Sequence, residues 1–229
     1  MRVLVAVHQD DAGPGVFAEA VDAGGHELVG WRPPDGPPPD GADALIVLGG
    51  AMDVHQEDEH PWLRDEKRVL ATLLESGMPA LGVCLGAELL AELAGGRVVK
   101  VAPPEIGWYE VELTPAAAAD PLLSTLPPRF SSFQWHSYAA EPPAGAPLLA
   151  RSSACAQAYR LGDRAWGVQF HPEVTSEIVH DWLNEGSKGE DAREAGLDRE
   201  AVEARTAREI ADWNDLGRRL CRTFLELAD

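Results

Sequence analysis

The chain has 229 residues, enough for one well-filled α/β domain or at most two small ones. Hydrophobic residues make up 45%, the share of an ordinary globular protein. Nineteen Lys and Arg against 38 Asp and Glu leave a net charge of −19, which argues against nucleic acid and against an anionic membrane as partners.

In chain order, RVLVAV (2–7) reads as a buried strand and GPGVFAEAVDAGG (13–25) as a helix closed by glycines. HELVGW (26–31) is a second strand. The Pro- and Gly-rich stretch 32–43 is a stiff loop. ALIVLGG (44–50) is a third strand ending in two glycines. Residues 60–77 place Leu63, Leu70, Leu73 and Leu74 at helical spacing behind Pro61. PALGVC (79–84) is a fourth strand, and GAELLAELAGG (86–96) a short helix with a glycine stop. Such alternation predicts an open, mainly parallel, twisted sheet with helices on both faces. From VVKVA (98–102) to WGVQF (166–170) the pattern changes to short strands and turns, expected as extra antiparallel strands on the same sheet. Residues 174–229 read as a helical, charged, Ala-rich segment of the same domain, with 184–196 as a mobile loop. No internal repeat is present.

The cysteines Cys84, Cys155 and Cys221 are too few and too scattered for a disulfide framework. The opening MRVLVAVHQDD lacks the apolar length and cleavage site of a secretory leader. No apolar run approaches the roughly 18 residues of a membrane span. The expected compartment is a reducing cytoplasm.

Three segments carry chemistry. The first is Gly82-Val83-Cys84-Leu85-Gly86, a strand, a tight turn and a helix, which is the setting of a nucleophile elbow. Cys84 would stand at a helix N-terminus, which favours the thiolate, and the Leu85 N–H would aim at a developing oxyanion. The second is WGVQFHPEV (166–174), in which a strand ends at His171 and Glu173 lies two residues on. Residues i and i+2 of an extended segment share a side, so Glu173 can orient the His171 ring and leave it free to exchange a proton with Cys84. The third is LGGAMD (48–53), where Gly50 is expected as the second oxyanion donor and Gly49 is the next choice.

Together with FQWHSY (133–138) and ACAQAYRLGDRAWGVQFHPE (154–173), these segments resemble the class I, triad-type glutamine amidotransferases. The likeness is to the stand-alone branch related to the glutaminase domain of GMP synthase, and it covers roughly residues 40–180. It implies a flavodoxin-like fold and a Cys84–His171–Glu173 triad that hydrolyses a γ-glutamyl amide through a thioester, releasing ammonia or an amine. It also implies that the segment Gln134–Ser137 holds the amino-acid end of the substrate, with His136 and Ser137 as candidate contacts. No cofactor or metal is expected. A chain of this length has no room for a synthetase domain, so any ammonia acceptor is a separate protein; alternatively the enzyme is a free-standing hydrolase of glutamine or another γ-glutamyl compound.

One departure stands out. The family's elbow commonly runs on to a Gln that helps to bind glutamine, and here Glu88 takes that place. As a carboxylate it opposes both the thiolate and a substrate carboxylate and suits a substrate ammonium; buried, it would be neutral or paired with a base. The rival reading from another class is a regulatory or partner-dependent subunit with weak catalysis. A further rival is a small α/β cysteine hydrolase with a Glu before the elbow, but no Glu stands close before Cys84. HQEDEH (55–60) reads as a solvated acidic loop. Cys155 and Cys221 read as packing residues, and Trp108, Trp135 and Trp166 as core or pocket wall.

Overall fold

A computed structural model describes residues 1–229. Strand β1 (Arg2–Ala6), helix α1 (Val16–Ala23), β2 (Glu27–Trp31), β3 (Ala44–Val47), α2 (Trp62–Glu75), β4 (Ala80–Val83) and α3 (Leu85–Leu93) follow the expected alternation. Then come β5 (Arg97–Leu113), β6 (Arg129–Glu141), β7 (Leu148–Arg151), β8 (Ala156–Leu161) and β9 (Ala165–Val168). Three helices close the chain: α4 (Ser176–Gly186), α5 (Glu190–Glu194) and α6 (Arg199–Ala228). All nine strands join one sheet in the order β2-β1-β3-β4-β9-β8-β7-β5-β6. The run β2-β1-β3-β4-β9 is parallel and the rest antiparallel.

Period-2 alternation splits the core between the two faces of the sheet. Val3, Val5, Ile46 and Val83 point to one face and pack with Phe17 of α1 and with Trp213, Leu220 and Phe224 of α6. Leu4, Leu45, Val47 and Ala80 point to the other and meet Leu70 of α2 and Leu89 and Leu90 of α3. The central strands β3 and β4 are buried along their whole length, which is why they read as unbroken apolar runs.

Two expectations need correction. The stretch from Arg97 to Leu113 is one 17-residue strand rather than two short ones. Its prolines fall where the β5–β6 register shifts between Lys100 and Glu105, so the irregularity absorbs residues that cannot donate to the ladder. Residues 184–196 are not an open loop. They hold the end of α4 and all of α5, because Ala192 is buried and Ser137 Oγ donates to Asp191 at 2.8 Å.

Candidate active site

Cys84 stands between β4 and α3 with φ 51°, and it is the one non-glycine residue in the left-handed region. Side chains resist that conformation, and it persists where the surroundings impose it. The flanking glycines show how. A Cβ on Gly82 would lie 2.6 Å from the Gly86 carbonyl carbon, and one on Gly86 would lie 2.0 Å from the Val47 carbonyl oxygen. Any larger residue at either place would push strand and helix apart.

His171 follows β9, which pairs with β4, so the sheet itself brings it to Cys84. Its Nδ1 donates to Glu173 Oε1 at 2.7 Å. Nε2 is buried without a hydrogen-bond partner and is the nitrogen left for the sulfur. The closing helices clamp this segment from outside. Trp213 Nε1 donates to the His171 carbonyl at 2.8 Å, and Asn214 Nδ2 donates to the Val174 carbonyl at 2.6 Å. A Cβ on Gly217 would lie 1.9 Å from the Pro172 carbonyl oxygen, so α6 meets the loop backbone to backbone. From the other side, the Val16 N–H donates to the Glu173 carbonyl at 2.9 Å. The edge of Trp182 lies against the His171 ring, with centroids 4.8 Å apart.

The glycine loop after β3 completes the site. A Cβ on Gly49 would lie 3.5 Å from Cys84 Cβ and 3.0 Å from His171 Cε1. Cys84, Gly50 and Trp135 line two cavities. One, of about 380 Å³, adds Asp53, Leu85, Glu88, His136, Ser137 and Asp191. The other, of about 270 Å³, adds Gln9, His171 and Trp182.

Burial governs the charges. It pushes the Cys84 thiol up; His171 pulls it back, while Glu88 and Glu173 add to the rise. The expected gain from the helix N-terminus is therefore outweighed, because the sulfur is nearly shut off from water. Burial also opposes a charged His171, but Glu173 and then Cys84 overcome it and raise the ring to about 10. For Glu88 burial wins: despite the Gln169 Nε2 donor at 3.0 Å, its carboxyl is pushed up to about 7, with Asp53 adding to the rise. The Gln169 donor favours the carboxylate, so it is burial that makes the neutral form prevail below neutrality.

The model of the class-I glutamine amidotransferase family matches residues 32–185. The chain belongs to that family. It is 33% identical over 177 residues to the glutamine-hydrolysing GMP synthase of Aeropyrum pernix, covering 74% of this chain but 31% of that protein. The chain thus spans about a third of that relative's length. It is 28% identical over 187 residues to the glutamine amidotransferase-like protein YfeJ of Salmonella typhimurium, covering 78% of each. The crystal structure of a glutamine amidotransferase from Thermotoga maritima superposes with a TM-score of 0.85 at 26% identity, covering 100% of this chain and 98% of that one.

Within this amidotransferase fold, Cys84, His171, Glu173, Gly50, Leu85 and Glu88 gather at one place. His136 and Ser137 line the larger cavity. His136 Nδ1 donates to the Tyr138 carbonyl at 2.8 Å and Ser137 is bonded to Asp191, whereas His136 Nε2 lies 3.2 Å from Glu105 without making a hydrogen bond. Gln134 does not reach either cavity. Its side chain is fully buried and donates to Ser132 on its own strand and to Gln157 on β8, because its place on β6 turns it towards β8. Cys155 is more than packing: its thiol donates to Glu105 at 3.4 Å. Cys221 is core, as read. The acids of 55–60 include Glu57, which pairs with Arg64 and Lys67. Sequence reasoning missed Trp182, Trp213, Asn214 and Gly217. No local motif marks them, since each acts on a segment it meets only after folding.

Proposed function

We propose that this chain hydrolyses a γ-glutamyl amide through a Cys84 thioester. The observation that carries the reading is the forced left-handed turn at Cys84 beside a His171 ring fixed by Glu173. In the forward half, the sulfur attacks the amide carbonyl carbon with the proton of the Cys84–His171 pair held on His171. His171 then gives it to the leaving nitrogen, the C–N bond breaks, and ammonia or an amine departs. Water next adds to the thioester with His171 as base, releasing glutamate and restoring the thiol. The N–H groups of Leu85 and Gly50 stabilise the oxyanion in both halves. His171 lines the smaller cavity, so the leaving nitrogen belongs on that side and the glutamyl group in the larger one.

The larger cavity carries Asp53, Glu88, Glu190 and Asp191 and no Lys or Arg. Such a lining suits the ammonium of the glutamyl group better than its carboxylate, so backbone donors must hold the latter. Any acceptor of the ammonia lies outside these 229 residues, whose matched part corresponds to 31% of the related GMP synthase of Aeropyrum pernix. The test is turnover of a panel of γ-glutamyl amides by the wild type and by Cys84→Ala. Loss in the variant, with a glutamyl thioester trapped on the wild type, is expected; full activity in Cys84→Ala sinks the reading. The partner-dependent alternative is favoured by the raised thiol at Cys84, and it predicts turnover only when a synthetase is added.

A further inference from the structure

His8 lies just beyond β1 and Glu66 within α2, and neither side chain exposes any surface to solvent. Neither lines either of the two cavities at Cys84. Nδ1 of His8 donates to the Gly49 carbonyl at 3.0 Å, and Nε2 meets Glu66 Oε1 at 2.8 Å. Trp62 stacks on the ring with centroids 5.9 Å apart. A carbonyl only accepts, so Nδ1 carries a hydrogen and a further proton is shared between Nε2 and Glu66. Burying two such groups is costly unless each satisfies the other. What this pair holds is one peptide group, between Gly49 and Gly50.

Planarity turns that grip into aim. The C=O and N–H of a trans peptide point in opposite directions, and the only cis bond in the chain is Ala102–Pro103. Fixing the Gly49 oxygen on His8 therefore sends the Gly50 N–H the other way. That N–H has no partner among the backbone hydrogen bonds, while the next one, of Ala51, is taken by Gln9 Oε1 at 2.7 Å. The peptide lies beside the nucleophile, since even a Cβ added at Gly49 would touch Cys84 Cβ at 3.5 Å. Between two glycines a peptide can turn over at little steric cost. Turned over, it would offer the oxyanion a carbonyl oxygen in place of a donor.

We propose that His8 and Glu66 are a positioning pair that locks the Gly49–Gly50 peptide with its N–H towards the oxyanion formed on Cys84. The inference rests on the acyl-transfer reading above for its purpose, and the test separates the two. Acylation of Cys84 by p-nitrophenyl acetate builds an oxyanion without needing a glutamyl group. Alkylation by iodoacetamide builds none. Both rates are measured against a Cys84→Ala background that corrects for the other thiols.

The double variant His8→Phe with Glu66→Leu removes the pair without leaving a buried charge. It should slow acylation by about 100-fold and change alkylation by less than about threefold. Glu66→Leu alone frees the His8 tautomer and should slow acylation by about tenfold, which decides the matter if the double variant does not fold. Glu66→Gln can still donate to Nε2 and should acylate within about threefold of wild type. Equal slowing of both reactions, unchanged acylation in Glu66→Leu, or a wild type that alkylates but never acylates overturns the pairing. A wild type that acylates from the ester yet cleaves no γ-glutamyl amide overturns the substrate reading and leaves the pairing standing.

Discussion

Glu88 lies four residues past the nucleophile, and its environment decides what it contributes. Its carboxyl is raised from 4.5 to about 7, chiefly by burial. In that range the folded chain binds a proton that the unfolded chain has released. Stability therefore falls as pH rises from roughly 4.5 to 7, by about 3 kcal/mol at 1.36 kcal/mol per tenfold change in proton affinity. Glu88→Gln keeps an oxygen for Gln169 and removes the charge. It should remove that slope and melt higher than wild type above pH 7, as chemical denaturation across the pH range will show. Matching slopes for the two proteins would mean that Glu88 stays ionised in the fold. The same substitution restores an amide beside Cys84, so a rise in glutamine turnover would mark Glu88 as a specificity residue.

At the scale of elements, the site depends on contacts between segments that are distant in sequence. Helix α6 reaches back to grip the His171–Pro172 backbone through Trp213 and Gly217. Trp213→Phe keeps most of the apolar ring and leaves the His171 carbonyl without its donor. It should cost about 1–3 kcal/mol of stability and lower kcat by roughly 10- to 100-fold through displacement of the ring. Gly217→Ala forces a methyl against the Pro172 oxygen and should cost about 1–3 kcal/mol as overpacking does, with kcat falling in step. Thermal melts and steady-state rates check both. A Trp213→Phe enzyme with wild-type kcat would show that the clamp holds the fold and not the ring.

At the scale of the whole molecule, the closing helix supplies Trp213, Leu220, Cys221, Phe224 and Leu225 to the same core as β1, β3 and β4. It is not an appendage on a finished domain, and we expect residues 1–229 to unfold as one cooperative unit. Calorimetry should give a single transition whose calorimetric and van't Hoff enthalpies agree. Removing residues 199–229 should abolish the folded state, because the first face of the sheet would lose its cover. Two separate transitions, or a stable truncated chain, would refute the single unit. No helix is long and apolar enough to cross a membrane.

Local chemistry was enough to read several features from the residues alone. Glycine spacing around Cys84 reports a sharp turn because the reason, a lack of room for Cβ, acts within five residues. His171 and Glu173 are expected to meet along an extended segment; they do meet, but across a turn at Pro172–Glu173 that follows β9. Apolar runs and helical spacing likewise marked the parallel half of the sheet and its helices. Whatever depends on exposure had to wait for the folded chain. The helix N-terminus favoured a thiolate at Cys84, yet burial reversed the balance, and Gln134 in a promising motif points into the interior. Glu88 could be charged, neutral or paired until its sole side-chain partner proved to be the Gln169 amide. His8 and Glu66, 58 residues apart, had no shared signal at all. Backbone geometry is set by near neighbours along the chain, whereas desolvation and long-range pairing are set by whatever packs on top, and only the tertiary structure decides that.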